Sequence, residues 1–473
     1  MPRGVHVKVA QAVAVVATAM AFAACTNDHI VYRDRVLPTQ PPAAGANFVG
    51  YSDTTTKATV CGSCHVDQQS AWVQTKHANA YADMKASGHS SASCEPCHTV
   101  GSYGNAGADS NVAWAATKDA RYQDVQCESC HGAGLTHVSN PTLGNRPLAS
   151  IDVPTDKTPT DGCGECHAGS HDPFYDEWKT SGHGLVPNQS HATSATCVTC
   201  HIGQNALTSI FKVNTNYVEA NQTTNPMAIT CVVCHDPHKA QNTAQLRAAV
   251  NSLDPKTNLC MQCHNRDSIA SATSTHAPMT PETATLLGKA GWPQPTTPIV
   301  ASHGSAGNTR ACATCHVVNK TINGPKGTVY TTGHTFAAIP CSDSLGRPEA
   351  DGECAVPERD FTACTGSGCH STPAAAQSAY MTDSLRILSL QNTLSAMLKK
   401  VPASELNYSS TVLTTAKGAT YNLWLSQKKG AWVHNPFLIE TLLTSSITKV
   451  QTQYGIAPSA NITLTNILGK AMR

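Results

Sequence analysis

Apolar residues in this 473-residue chain gather in two blocks, separated by a long stretch about which secondary-structure propensity says little. The first block runs from Val9 to Ala24 and contains Val13, Val15, Val16, Met20 and Phe22, behind the basic residues Arg3, His6 and Lys8. At 16 residues it is short for a membrane span, and a basic start followed by a short apolar run reads as a secretory signal over residues 1–24. No other segment is apolar enough to cross a bilayer. The second block lies in residues 376–473, which hold no cysteine. There Ile387, Leu390, Leu394, Met397 and Val401 recur at three to four residues, as do Ile439, Leu442, Ile447, Val450 and Tyr454, so a C-terminal helical segment is expected. Asn435-Pro436 is a helix start and Gly455 a helix stop. The segment reads as a packing lid over the body, with a protein-docking surface as the alternative. Residues 25–50, with Pro38, Pro41 and Pro42 among Ala and Gly, read as a flexible tether.

Composition makes residues 51–375 unusual. Only 5% of the chain is aromatic and 13% charged, while Gly and Pro together number 59. A chain of this length ordinarily divides into two to four domains with separate apolar cores. Something other than apolar side chains has to fill this interior, and the cysteines show what. Of 21 cysteines, 16 form eight copies of Cys-x-x-Cys-His: Cys61, Cys64 and His65; Cys94, Cys97 and His98; Cys127, Cys130 and His131; Cys163, Cys166 and His167; Cys197, Cys200 and His201; Cys231, Cys234 and His235; Cys260, Cys263 and His264; Cys312, Cys315 and His316. A variant with a four-residue spacer follows, Cys364, Cys369 and His370.

Two thiols add across porphyrin vinyl groups as thioethers, and the adjacent imidazole is thereby set against the iron as proximal ligand. A zinc half-site needs no histidine directly after the second cysteine, and a redox pair needs only one copy. The reading is a multihaem cytochrome c holding nine haem c groups, eight by the regular motif and the ninth by the variant. Its expected fold is mostly α and loop with little β, wrapped around a haem-packed core. Cys25, Cys341 and Cys354 are left over. A rival ninth motif pairs Cys354 with Cys369. With the short spacer, Cys341 and Cys354 are free to close a disulfide in an oxidising compartment.

The spacing repeats. Cys61 to Cys163 is 102 residues, Cys94 to Cys197 is 103 and Cys127 to Cys231 is 104. Trp72-Val-Gln-Thr-Lys-His77 recurs as Trp178-Lys-Thr-Ser-Gly-His183, and His89 as His191. Three trihaem units follow, at about 61–150, 163–245 and 260–375, the third with looser spacing. The repeat nominates second axial ligands: His77, His89 and His137 in the first unit, His183, His191 and His238 in the second, His276, His303 and His334 in the third. His171 and His434 stand in reserve, and His29 lies in the Pro-rich tether. Met84, Met227, Met261 and Met279 are the other option, although methionine ligation would raise the potential.

Cys127–His137 (CESCHGAGLTH) resembles an element of the cytochrome c554 and octahaem hydroxylamine-oxidoreductase-like group, as do the Trp-x-x-Ser/Thr-x-His segments. Cys231–His238 (CVVCHDPH) is similar to elements of decahaem electron-transfer cytochromes. The resemblance covers roughly residues 58–270 and implies closely stacked haem pairs. It carries no activity across, because those families hold enzymes and carriers alike.

Phe22-Ala-Ala-Cys25 resembles a bacterial lipobox, with Phe where an aliphatic residue is usual, so Cys25 is a candidate for lipidation. The expectation is an exported protein, lipid-anchored at the outer membrane, cell surface or periplasmic face. A net charge of +1 gives no reason to expect nucleic acid, and haem propionates would make the holoprotein acidic, favouring basic redox partners. Two functions compete. One is an electron conduit between a quinol-linked donor or another cytochrome and a periplasmic or extracellular acceptor. The other is a reductase or oxidase of a small nitrogen or sulfur compound, which needs one iron with an open position.

Overall fold

Among the described residues, helices stay short until residue 373. The computed structural model describes residues 41–105, 107–153, 162–185, 194–214, 216–220, 225–324, 327–349 and 352–458. The signal segment, Cys25, His29 and His191 lie outside them. Helices before residue 373 reach seven residues at most, as in Val66–Trp72, Ala80–Ala86, Ala195–His201 and Gly203–Ser209. Strands are confined, among the described residues, to three antiparallel pairs: Tyr51–Asp53 with Ala58–Thr59, Lys320–Gly324 with Gly327–Thr331, and Cys341–Ser342 with Pro348–Glu349. The architecture is mostly α and loop.

Two conserved-in-place turns show the internal repeat as structure. Trp72 donates its indole N–H to the Val125 carbonyl at 3.1 Å, and Trp178 donates to Ile229 at 2.8 Å. Val125 in turn donates its backbone N–H to the His77 carbonyl, and Ile229 to that of His183, both at 3.1 Å. Each acceptor lies two residues before the third motif of its unit, so each Trp-x-x-Ser/Thr-x-His segment is bolted to the same place twice.

Apolar packing in this part comes as small islands. Phe48, Val100, Ala113, Trp114 and Tyr122 make one; Ile151, Ala206, Leu207, Tyr217, Met227 and Val233 make another. The first corrects the reading of residues 25–50 as tether throughout. Phe48 and Val49 are buried, and the Tyr122 hydroxyl donates to the Phe48 carbonyl at 2.9 Å. Glu128, inside the third motif, accepts from the backbone N–H groups of Val49, Gly50 and Gly134 at 2.7–2.9 Å. Burial raises this carboxyl to about 6 against the pull of those donors. Pro-rich composition hid the fact that Phe48 and Val49 supply an apolar plug, so residues 41–50 belong to the body.

The largest apolar cluster is C-terminal. Helices Pro373–Leu398, Thr415–Ser426, Ala431–His434 and Pro436–Tyr454 bury Ile387, Leu394, Met397, Leu425, Leu438, Ile439 and Leu443 together. Fully burying each such side chain is worth about 1.5–3 kcal/mol. Thr372 caps the first helix by accepting from Ala375 N–H at 3.1 Å. The cluster takes in Ala270, Ala284 and Ala290, with Trp292 and Ile299 packed on it, so the lid is joined to the third unit. A Cβ on Gly418 would sit 2.0 Å from the Trp292 ring, which explains a glycine inside the helix. Pro436–Tyr454 begins and ends where its sequence signals lie: Asn435 Oδ1 accepts from Leu438 N–H at 3.0 Å, and Gly455 closes it at φ +68°. No helix among the described residues is long and apolar enough to cross a membrane.

Asn435 also donates Nδ2 to the carbonyls of Thr285 and Ile299, at 3.1 and 2.6 Å, from a fully buried position. Asn435→Ala removes a cap and orphans two buried carbonyls. It should destabilise the C-terminal region by about 2–4 kcal/mol, read as a lowered denaturation midpoint.

Candidate haem-binding array

Each Cys-x-x-Cys-His forms one helical turn. The histidine N–H donates to the carbonyl of the first cysteine in the first, fourth, sixth, seventh and eighth motifs, at 2.9–3.0 Å. This closure sets both sulfurs and the imidazole on one side of the turn. The variant closes the same way despite its longer spacer: His370 N–H donates to the Cys364 carbonyl at 3.3 Å, across the turn Thr362–Gly368. Cys341 and Cys354 are joined as a disulfide with a Cα–Cα distance of 5.9 Å, so Cys354 is not free to pair with Cys369.

Opposite seven of the nine motif histidines stand other histidines. His65 faces His137, His131 faces His238, His167 faces His77, His235 faces His334, His264 faces His183, His316 faces His434 and His370 faces His303. The seven centroid separations span 6.1 to 6.5 Å, while the interplanar angles scatter from 22° to 77°. Ring packing would fix the angle and let the distance vary. Two imidazole nitrogens each about 2 Å from a shared metal, with ring centres about 1 Å further back, give roughly 6 Å. The residues present therefore fit a haem iron between each pair. Burial, then the facing imidazole, lowers His77, His183, His334 and His434 to about 4. All four are thus held neutral, the form that binds a metal.

Four of the seven pairs run between repeat units, while His65 with His137 and His370 with His303 stay within theirs. His77 and His183 reach forward to the first motif of the next unit, while His238 and His334 reach back to the third motif of the unit before. His434, held in reserve by the sequence reading, faces the eighth motif from the C-terminal lid. His89, His171 and His276 are exposed, and none of them stands in a ring pair among the described residues. Met227 and Met261 are packed in apolar clusters, Met84 is buried and Met279 is exposed.

The second ring nitrogen of several of these imidazoles has its own neighbour, while His434 Nδ1 is buried without a partner. His98, His131, His235 and His316 point Nδ1 at the carbonyls of Ala80, Pro147, Ala244 and Phe336, at 2.7–2.9 Å. His303 does so with Val433 at 2.6 Å, and His137 with Asn145 Oδ1 at 3.1 Å. Two proximal histidines face carboxylates instead: His167 with Asp172 Oδ2 at 2.5 Å, and His264 with Glu282 Oε2 at 3.7 Å. Burial pulls His167 down, but the Asp172 hydrogen bond and charge win and raise it; Glu282 raises His264. Sequence reasoning passed over both acids, which carry no motif.

Sulfurs of different motifs meet. Among free thiols, Cys61 is hydrogen-bonded to Cys127, Cys97 to Cys166, Cys163 to Cys231, Cys200 to Cys263 and Cys260 to Cys312. Cys130 lies within electrostatic reach of Cys163, Cys234 of Cys260, and Cys315 of Cys364 and Cys369. Joined in order, the motifs form a trunk of first, third, fourth, sixth, seventh, eighth and ninth. The second branches from the fourth, and the fifth from the seventh.

Comparison with known proteins bears on the motifs and on the fold. A model of the family described as cytochrome c554 and c-prime matches residues 60–132, and one described as a doubled CXXCH motif matches residues 225–269. No curated protein matches. In fold the chain is similar to the solved Outer Cell Wall Cytochrome OcwA, with a TM-score of 0.56 and 19% sequence identity over 86% of this chain and 100% of that one. With eight Cys-x-x-Cys-His turns, imidazoles paired across them and both family matches lying on such motifs, this chain is a multihaem c-type cytochrome that transfers electrons through haem c.

Proposed function

We propose that the protein is an exported electron conduit carrying nine haem c groups, with the ninth held by Cys364, Cys369 and His370. The observation that carries this reading is the unbroken sulfur map, in which no motif is isolated from the rest. A thioether sulfur is bonded to the porphyrin edge, so neighbouring sulfurs mark neighbouring edges. When bound, each haem supplies a one-electron iron couple; the chain supplies spacing, axial imidazoles and the charge around them. Seven motif histidines face a second imidazole, an arrangement that closes the iron to substrate and favours carriage over catalysis. The likeness in fold to a cytochrome named for the outer cell wall supports a cell-envelope location, and Cys25 is the proposed lipid anchor. Partners would be a quinol-linked donor or periplasmic and outer-membrane cytochromes, with an extracellular acceptor at the far end.

The intact protein should weigh nine haems more than its mature chain, and Cys364→Ala should remove one of them. Eight haems in the wild type would end the ninth-site reading. Loss of a haem on Cys354→Ala, with Cys364→Ala silent, would select the longer spacer. His183→Ala should open one iron, seen as a new high-spin ferric signal and as carbon monoxide binding after reduction. An unmodified protein that already binds carbon monoxide stoichiometrically would instead point to a reductase, to be tried with nitrite and hydroxylamine. Finally, Cys25→Ser should release the protein from membranes in soluble form; continued sedimentation with them after a salt wash would rule out the anchor.

A further inference from the structure

We infer that Asp172 and Glu282 are positioning residues that make the haems of the fourth and seventh motifs harder to reduce than their neighbours, and so keep the two branch points of the array from retaining electrons. The inference rests on the reading of His167 and His264 as iron ligands.

Two independent maps coincide here. By sulfur hydrogen bonds the fourth motif meets the second and sixth and the seventh meets the fifth and eighth, and the sulfurs of the third and the sixth lie within electrostatic reach of them, respectively. Of the six proximal histidines whose Nδ1 neighbour is defined, these same two face a carboxylate, His167 through a hydrogen bond and His264 through charge. The proximal histidines of the second, third, sixth and eighth turn it to a peptide carbonyl. Asp172 sits at 2.5 Å from His167. Glu282 Oε2 is further, at 3.7 Å, buried and without a hydrogen-bond partner, and its charge acts on His264 first and also reaches His316 and His434.

Two other carboxylates near array histidines are weaker by construction. Asp236 lies 3.5 Å from His238 but is shared with Arg247 at 3.4 Å. Glu177 reaches His334 Nδ1 only through the Thr332 hydroxyl, at 2.8 and 2.9 Å.

The physical effect has one sign. A carboxylate accepting the Nδ1 proton makes the imidazole a stronger donor to the metal, and its charge favours ferric over ferrous iron. A site that meets three others would trap electrons if it were the easiest to reduce. Held more negative, it is crossed rather than occupied. No bond is made and no proton moves; Asp172 and Glu282 only bias a one-electron equilibrium.

The test is a spectroelectrochemical titration of the full holoprotein, after haem count has been checked by mass. Asp172→Asn should take one haem's share of the absorbance change out of the most negative part of the curve. Its reduction equilibrium should shift by about tenfold, or about 59 mV for one electron. Glu282→Gln should shift a second haem by less, in keeping with its longer contact, and Asp172→Glu should restore the original curve. Asp176→Asn removes a nearby carboxylate that binds Gly169 N–H and Lys179 rather than an imidazole, and should leave the curve in place. A wild-type curve from Asp172→Asn, or an equal shift from Asp176→Asn, overturns the inference. His77→Ala separates the two levels: a new high-spin signal there keeps the ligand reading even if the potentials do not move, and its absence removes that reading itself. If Asp172→Asn fails to retain its haem, Glu282→Gln and Asp172→Glu decide the matter by the same curves.

Discussion

Everything in this molecule depends on imidazoles from distant parts of the chain being held face to face. His77 and His167 are 90 residues apart in sequence, and His316 and His434 are 118 apart, yet each pair stands near 6 Å. Burying eight or more such rings is costly unless each nitrogen finds a partner. Backbone carbonyls, Asn145 and Asp172 satisfy one side of seven of them, and the pair geometry leaves the other side to the metal. The apolar islands around the motifs are small because they do not have to do this work. Only the C-terminal lid carries a cluster of ordinary size, and it too contributes an imidazole, His434.

Pairing between units has a mechanical meaning. If each unit supplied its own second ligands, three independent modules would result, joined only by linkers. Instead the first unit's His77 faces the second unit's motif, the second's His183 faces the third's, and His238 and His334 return the favour. Loops long in sequence are thereby closed by single contacts, and the units interlock. The repeated bonds from Trp72 and Trp178 explain how this is specified. They fix His77 and His183 on rigid ledges beside the third motif, from which each projects toward the next unit.

Much of the fold and the site was legible in the sequence, for reasons that differ from residue to residue. Cys-x-x-Cys-His is local chemistry, so the motif turns follow from the strings alone. Asn435-Pro436 and Gly455 act within one helical turn and mark its ends correctly. The direction of the pairing was not legible, because a period of about 103 residues says which histidines are equivalent and not which iron each one meets. His434 lies beyond the repeat and could be placed only by the packing of the C-terminal helices on Trp292 and Ile299. Asp172 and Glu282 look like any other surface acid until their imidazole partners are in place. Phe48 and Val49 were masked by the prolines before them.

The contacts among the sulfurs bear on how such a chain can be made. In the folded arrangement Cys61 lies against Cys127 and Cys163 against Cys231, while Cys341 and Cys354 are oxidised together. The compartment that closes the one bond would, by the same chemistry, join sulfurs from different motifs and weld the array shut without cofactor. Biogenesis therefore has an order imposed by the geometry itself. Thioether capping has to precede compaction, motif by motif on an open chain, and collapse can follow only when the dangerous sulfurs have been spent.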